Sequence, residues 1–263
     1  MRREAFFKGK FYPDSYEVLD EFFQECNEIV DESLEGFEIL DKDPNLIVVP
    51  HAGYIYSGFS ANIAYRAVKD RKRAIVIGPS HSVRFNEVSA GYYNSIETPF
   101  GDLEVDLPYL NYLKESFELN FYEQVFKEHS TETQMPFLKY YSPDIKVIEL
   151  VYGDIDEIEL KELIGFLLKD EDNLVVVSTD LSHFYDLETA NRIDNLFLVG
   201  LQNLDIATID KSEACGMMGV KATIEVAREI DLKPTILDYR TSADVSEDKS
   251  KVVGYASAIF TKE

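Results

Sequence analysis

The chain has 263 residues, 45% hydrophobic and 29% charged, and its 26 basic against 49 acidic side chains leave a formal net charge of −23. So acidic a surface excludes nucleic acid as a partner, because phosphate binding needs a basic face, and it disfavours anionic membranes for the same reason. No run of about 18 apolar residues occurs and the opening Met1-Arg-Arg-Glu is followed by no apolar leader core, so a cytoplasmic protein with no membrane association is expected. The two cysteines, Cys26 and Cys215, make no disulfide framework, and both are expected as free thiols.

In chain order, the apolar residues Leu19, Phe22, Phe23, Cys26, Ile29 and Val30 recur at helical spacing and predict a helix over 16–34, opened by Pro13 and closed by Gly36. Cys26 falls on its apolar stripe and reads as a small core residue. A strand over 46–49 and a helix from about 59 to 69 follow, then a strand over 74–77. The segment 87–105 alternates aromatic and β-branched residues between Gly91, Pro99 and Gly101, and predicts short antiparallel strands. Helices are expected at about 107–118, 156–168, 186–203 and 216–230, with strands over 146–152, 174–177, 235–239 and 252–260. Strands alternating with helices define an α/β class: three α/β/α layers around a mostly parallel or mixed central sheet, with a small additional antiparallel β region. Neither a repeat nor a linker interrupts the pattern, so one domain over 1–263 is expected.

The chemistry gathers at strand ends. Three of the four histidines follow short apolar runs: Leu46-Ile-Val-Val-Pro-His51, Ala74-Ile-Val-Ile-Gly-Pro-Ser-His81 and Leu174-Val-Val-Val-Ser-Thr-Asp-Leu-Ser-His183. Ligands of open α/β sheets bind beyond the carboxyl ends of the strands, and imidazole is both the commonest metal ligand and a proton carrier near neutral pH. Gly53 and Gly58 carry the spacing of a phosphate loop, but Phe59 stands where that loop needs Lys, which excludes a nucleoside triphosphate site. Tyr54 would flank His51, and Ser80 is placed to hydrogen-bond an imidazole. Asp180, three residues before His183, is expected either to take an imidazole N–H or to cap a helix. His129 and Glu132 are expected to face the same pocket, with Thr131 and Gln134 resembling a capping box. Cys215, just before a helix, is expected to gain thiolate character from the helix end. Two histidines and a thiolate form a chemically sensible metal set, softer than the two-His-one-carboxylate arrangement of non-haem iron.

Taken in order, Val-Pro-His51-Ala-Gly-Tyr, Gly78-Pro-Ser-His81, Glu128-His-Ser with Gln-x-Pro-Phe-Leu, Ser-Thr-Asp180-Leu-Ser-His183, Ala-Cys215-Gly and Tyr-x-Thr-Ser-x-Asp244-Val with Val-Gly-Tyr-Ala resemble the MEMO (mediator of ErbB2-driven cell motility) family. Nearly the whole chain is covered, from about residue 46 to 260. The resemblance implies the fold of class III extradiol dioxygenases, whose iron is held by two His and one Glu. It implies that His51, His81 and Cys215 stand at the metal positions, His183 at the proton-transferring position and Asp180 in the same pocket. Cys in place of Glu is the family's own departure and does not carry ring cleavage with it. Animal members are described as effectors of receptor-tyrosine-kinase signalling and as copper- or iron-dependent redox proteins.

Three functions fit these residues. The first is a metal-dependent oxidoreductase using Fe(II) or Cu, with Zn also compatible, and His183 as acid and base. The second is a metal-free hydrolase or transferase with Cys215 as nucleophile, His183 as base and Asp180 as orienter. The third is a non-catalytic protein that binds a peptide or small molecule in the same pocket. A homo-oligomer is compatible with all three.

Overall fold

A computed structural model describes residues 1–33 and 42–262. In chain order the elements are β1 (Arg2–Arg3), α1 (Tyr16–Ser33), β2 (Leu46–Val49), α2 (Tyr54–Arg66), β3 (Arg73–Pro79), β4 (Val88–Ala90), β5 (Ser95–Ile96), β6 (Leu103–Glu104), α3 (Leu107–Leu113) and β7 (Leu119–Asn120). The second half adds α4 (His129–Glu132), α5 (Met135–Tyr141), β8 (Lys146–Tyr152), α6 (Glu157–Leu167), β9 (Asn173–Ser178), β10 (His183–Tyr185), α7 (Leu187–Gln202), α8 (Ile206–Ile209), α9 (Met217–Glu229), β11 (Lys233–Thr241) and β12 (Val252–Thr261).

The main sheet runs β10-β12-β2-β9-β3-β8-β4-β7, with β11 also paired to β12. Its centre, β2-β9-β3-β8, is parallel, and β12 and β4 flank it antiparallel. All four residues of β2 and all six of β9 are buried, as expected of strands covered on both faces. Alternate side chains divide between two cores. Leu46, Val48, Ile75, Ile77, Val175 and Val177 pack with Leu163, Phe197, Val220 and Ile224 of α6, α7 and α9. Ile47, Val49, Val76 and Val176 pack with Leu19, Phe23, Ala64 and Phe137 of α1, α2 and α5. This is the three-layer mixed α/β architecture predicted. A second, three-stranded sheet, β1-β5-β6, holds the expected small β region; β5 and β6 are antiparallel, and the chain's first residues join β5 in parallel.

Local departures have physical causes. Helix α2 starts at Tyr54 rather than 59, where Tyr56 and Ser57 N–H groups meet the Gly53 carbonyl. Its first turn exposes the apolar Ile55 and Tyr56 and buries Ser57, so no amphipathic stripe marks it. Ser15 rather than Pro13 caps α1, accepting from the Val18 N–H at 3.2 Å, and the predicted stop at Gly36 lies outside the described residues. The 131–134 capping box does not form. Glu128 caps α4 instead, and Pro136 sits in the first turn of a separate helix, α5, where no N–H is required. Among the described residues, no helix is long and apolar enough to cross a membrane.

Candidate metal centre

Three loops at the carboxyl ends of the central strands build the site. His51 follows β2, His81 follows β3, and Ser178 to Asp180 close β9, which lies between them. The fourth piece, α4, is pressed against the end of β3. A Cβ on Gly78 would lie 2.6 Å from Ser130 Oγ and 2.9 Å from Thr131 Cγ2, so only glycine lets the helix approach. That approach brings His129 beside His81.

His51, His81 and His129 each offer a ring nitrogen within 4.8 Å of the other two, the group of metal-ligand type found among the described residues. Ring centroids are 5.2 Å apart for His51–His81, 5.3 Å for His51–His129 and 4.6 Å for His81–His129. His51 is buried, at 1% exposure, whereas His81 is open to solvent.

Hydrogen-bond bookkeeping fixes the tautomers. His81 Nδ1 and His129 Nδ1 lie 2.9 and 3.0 Å from one oxygen, Glu128 Oε1. A carboxylate only accepts, so both Nδ1 atoms donate. His51 Nδ1 is 2.8 Å from Ser178 Oγ. The Ser178 hydroxyl gives its one proton to the Ser130 carbonyl at 2.6 Å and accepts from Gln134 Nε2 at 3.1 Å. Its remaining capacity is as an acceptor, so His51 Nδ1 also donates. With each Nδ1 so engaged, Nε2 is the ring nitrogen left to all three imidazoles for a metal, the orientation metal-bound histidines adopt.

Electrostatics agree. Burial, then the neighbouring His81 and His129, holds the His51 pKa well below its usual 6.5, so its ring is neutral. Burial opposes ionisation of Glu128, but hydrogen bonds from His129 and His81 outweigh it and hold its carboxyl well below the usual range.

Cys215 Sγ lies 3.2 Å from His51 Nε2 and accepts from the Asp180 N–H, also at 3.2 Å. A Cβ on Gly216 would meet the Ser178 carbonyl at 2.7 Å, so glycine again lets this turn press on the end of β9. The expected thiolate is not favoured. Burial and then the Asp180 carboxylate push the Cys215 thiol up to about 12, which outweighs the helix start at Met217. Iodoacetamide should accordingly label Cys215 in native, metal-free protein at pH 7.5 at least tenfold more slowly than in urea, by mass spectrometry, since only the thiolate reacts; equal rates would contradict this environment.

Of the other residues named from sequence, Asp180 accepts the His51 backbone N–H at 2.8 Å, and its Oδ2 is 3.9 Å from His51 Nε2. The carboxylate that takes ring N–H groups at hydrogen-bond distance is Glu128. His183 donates Nδ1–H to the Leu181 carbonyl at 2.8 Å, which leaves Nε2 as the ring nitrogen not engaged by that bond. Leu181, His183, Cys215 and Met217 line a hollow of about 360 Å³. A second hollow of about 470 Å³, between Ser80, Arg84, Tyr152 and Met218, meets the same thiol. Tyr54 is core: it is buried and donates to the Thr133 carbonyl at 2.7 Å. The Ser80 hydroxyl closes its own turn onto the Val83 carbonyl at 2.7 Å rather than touching an imidazole. Glu132 is fully buried and faces Arg3, 3.0 Å away, and the backbone of Phe6 and Phe7.

Sequence reasoning missed Glu128 and Ser178. Glu128 had a signal, being the carboxylate adjacent in sequence to His129 where a ring N–H needs an acceptor. Ser178 had none, because its role depends on which strand lies between β2 and β3.

Layers of helix around a mixed sheet, with three imidazoles converging beyond its parallel strands, define an α/β protein with a strand-end centre able to hold a metal ion. Its sequence matches the family described as "Memo-like protein" over residues 3–259, and the chain belongs to that family. It is 34% identical to a MEMO1 family protein of Methanobrevibacter smithii over 284 residues, covering 99% of this chain and 100% of the relative. Relatives of the same name from Aquifex aeolicus (32%) and Methanosarcina mazei (30%) each align over 98% of both chains.

Proposed function

We propose that this protein binds a transition-metal ion through Nε2 of His51, His81 and His129, with Cys215 within reach as a further donor, and works on a small molecule or peptide beside His183. The observation that carries the reading is the commitment of all three Nδ1 atoms to Glu128 and Ser178, which leaves Nε2 of each of three neighbouring rings for the ion. The donor set fits such an ion: neutral imidazoles suit Zn, Cu and Fe, and a thiol adds softness. The 3.2 Å between Cys215 Sγ and His51 Nε2 is also close to the roughly 3.5 Å that two such donors share on a tetrahedral ion. Iron or copper would supply redox chemistry and zinc Lewis acidity. Around it, His183 holds a basic Nε2 for proton transfer, and Asp180 orients the loop through the His51 N–H. The metal-free hydrolase fits less well, since the imidazole against Cys215 is His51 and not His183.

The ligand set read from sequence, His51 with His81 and Cys215, and the triad with His129 make different predictions. Chelator-treated protein should take up Fe(II), Cu(I) or Zn(II) stoichiometrically under anaerobic conditions, measured by element-resolved mass spectrometry. His129→Ala should lower retention by at least 100-fold, whereas Cys215→Ser should lower it by less than tenfold. The reverse order would restore the two-His-plus-Cys set, and sub-stoichiometric uptake of all three ions would sink the metal reading.

A further inference from the structure

The first twelve residues converge on one carboxylate. Glu132 Oε2 accepts from Arg3 Nη1 and the Phe6 N–H, both at 3.0 Å. Its Oε1 accepts from the Phe7 N–H at 2.6 Å and the Tyr12 hydroxyl at 2.9 Å. Arg3 also pairs with Glu149 of β8 at 3.0 Å, and all three side chains are shielded from solvent. Glu132 ends the single helical turn that His129 begins, so the two side chains are three residues apart on one face. The same N-terminal strap lays two rings on the His129 imidazole, Phe11 at 4.9 Å and Phe7 at 5.7 Å between centroids. Further along, the Phe11 carbonyl accepts the Tyr54 N–H at 2.7 Å, three residues after His51. One segment thus touches the supports of two of the three imidazoles.

We propose that this strap, residues 3–12, is a working part of the metal centre, with Arg3 and Phe11 as positioning residues that act through Glu132 and directly on the His129 ring. The inference rests on the metal reading above. It goes beyond it in assigning ligand geometry to a segment remote in sequence from every histidine. Glu128 fixes one edge of the His129 ring, but a single hydrogen bond leaves the ring free to swing about it. The two phenyl rings packed against it, Phe11 tilted and Phe7 edge-on, remove that freedom, and the fully buried Arg3–Glu132 pair keeps them in place. Arg suits this role because its planar fork reaches two carboxylates at once, which a lysine does not reproduce.

Co(II) titration of the full-length protein tests the proposal, with the visible Co(II) absorption reporting ligand geometry and circular dichroism reporting the fold. Phe11→Ala should weaken Co(II) binding by 10- to 100-fold, the range for groups that orient ligands, and alter the absorption spectrum while the helical signal is kept. Phe11→Tyr should restore both. Arg3→Met should weaken binding similarly, and Arg3→Lys only in part. Should a substitution lower the melting temperature, affinities are compared at a temperature where each variant is folded. Affinities within twofold of native, with unchanged spectra in both Phe11→Ala and Arg3→Met, would overturn the proposal and leave the strap a structural anchor alone. If the native protein itself takes up no Co(II), the metal reading falls and the strap's role in it falls as well. Native uptake with insensitive variants refutes the strap alone.

Discussion

Replacing Glu128 by Gln is expected to lower metal affinity by about 10- to 100-fold and stability by roughly 1–3 kcal/mol. The carboxylate is fully buried and serves four donors: Oε1 receives His81 Nδ1, His129 Nδ1 and the Ser130 N–H, and Oε2 receives the His81 N–H at 2.7 Å. An amide keeps one acceptor oxygen and turns the other position into a donor. If the oxygen faces the two imidazoles, the new NH₂ points at the His81 N–H, and two buried donors oppose each other. If it faces the other way, both imidazoles lose their acceptor and the preference for the Nε2 lone pair with it. Either orientation damages His81 and His129 together, so the loss should exceed that of Ser178→Ala, which frees His51 alone. Isothermal titration with Zn(II) and chemical denaturation of the metal-free protein measure the two effects. Unchanged affinity in Glu128→Gln would mean that the imidazoles are oriented by packing and not by this carboxylate.

A second large effect is expected from acid. The His51 pKa is depressed in the folded protein, so below about 6.5 the unfolded chain binds a proton that the native state refuses. Stability is then present above 6.5 and is lost as pH falls. Glu128, also depressed, adds a second loss below its ordinary value of 4.5. Asp180 and Glu149 act in the opposite sense, because burial raises both, so the native state takes up their protons above the ordinary carboxylate values and gains stability there as pH falls. The net loss should therefore begin below about pH 6.5, be partly offset as those carboxyls take up protons, and deepen below 4.5 where the unfolded chain protonates Glu128. Metal release should fall in the same window, since each imidazole must stay neutral to bind. Melting temperatures of metal-free protein from pH 8 to 4.5, with metal retention measured in parallel, check both. A flat melting curve between pH 7 and 5 would refute the buried, neutral His51.

Much of this architecture is legible in the amino-acid sequence. Uninterrupted apolar runs at 46–49, 74–77 and 174–177 announce strands buried on both faces, because a parallel sheet under two helical layers leaves no polar side. The ends of those runs announce where ligands gather, because strand direction is shared. Family membership follows from the motifs that sit there. Two features of α2 and α4 resist such reading. The first turn of α2 exposes the apolar Ile55 and Tyr56 while burying Ser57, and so carries no amphipathic periodicity, and α4 is a single turn whose cap is a glutamate rather than Thr131.

Composition and local pattern thus determined the α/β class, the acidic surface and the place of His51, His81, His183 and Cys215 at strand and helix ends. Those properties depend on neighbours within a few residues. Only the tertiary structure decided that His129 completes the imidazole group and that Glu128 and Ser178 set the tautomers. It alone placed Glu132 away from the pocket, under the N-terminal strap. Each of these is a contact between segments far apart in the chain, set by which strand lies beside which and how closely a glycine lets a helix approach. Sequence spacing carries no record of such distances.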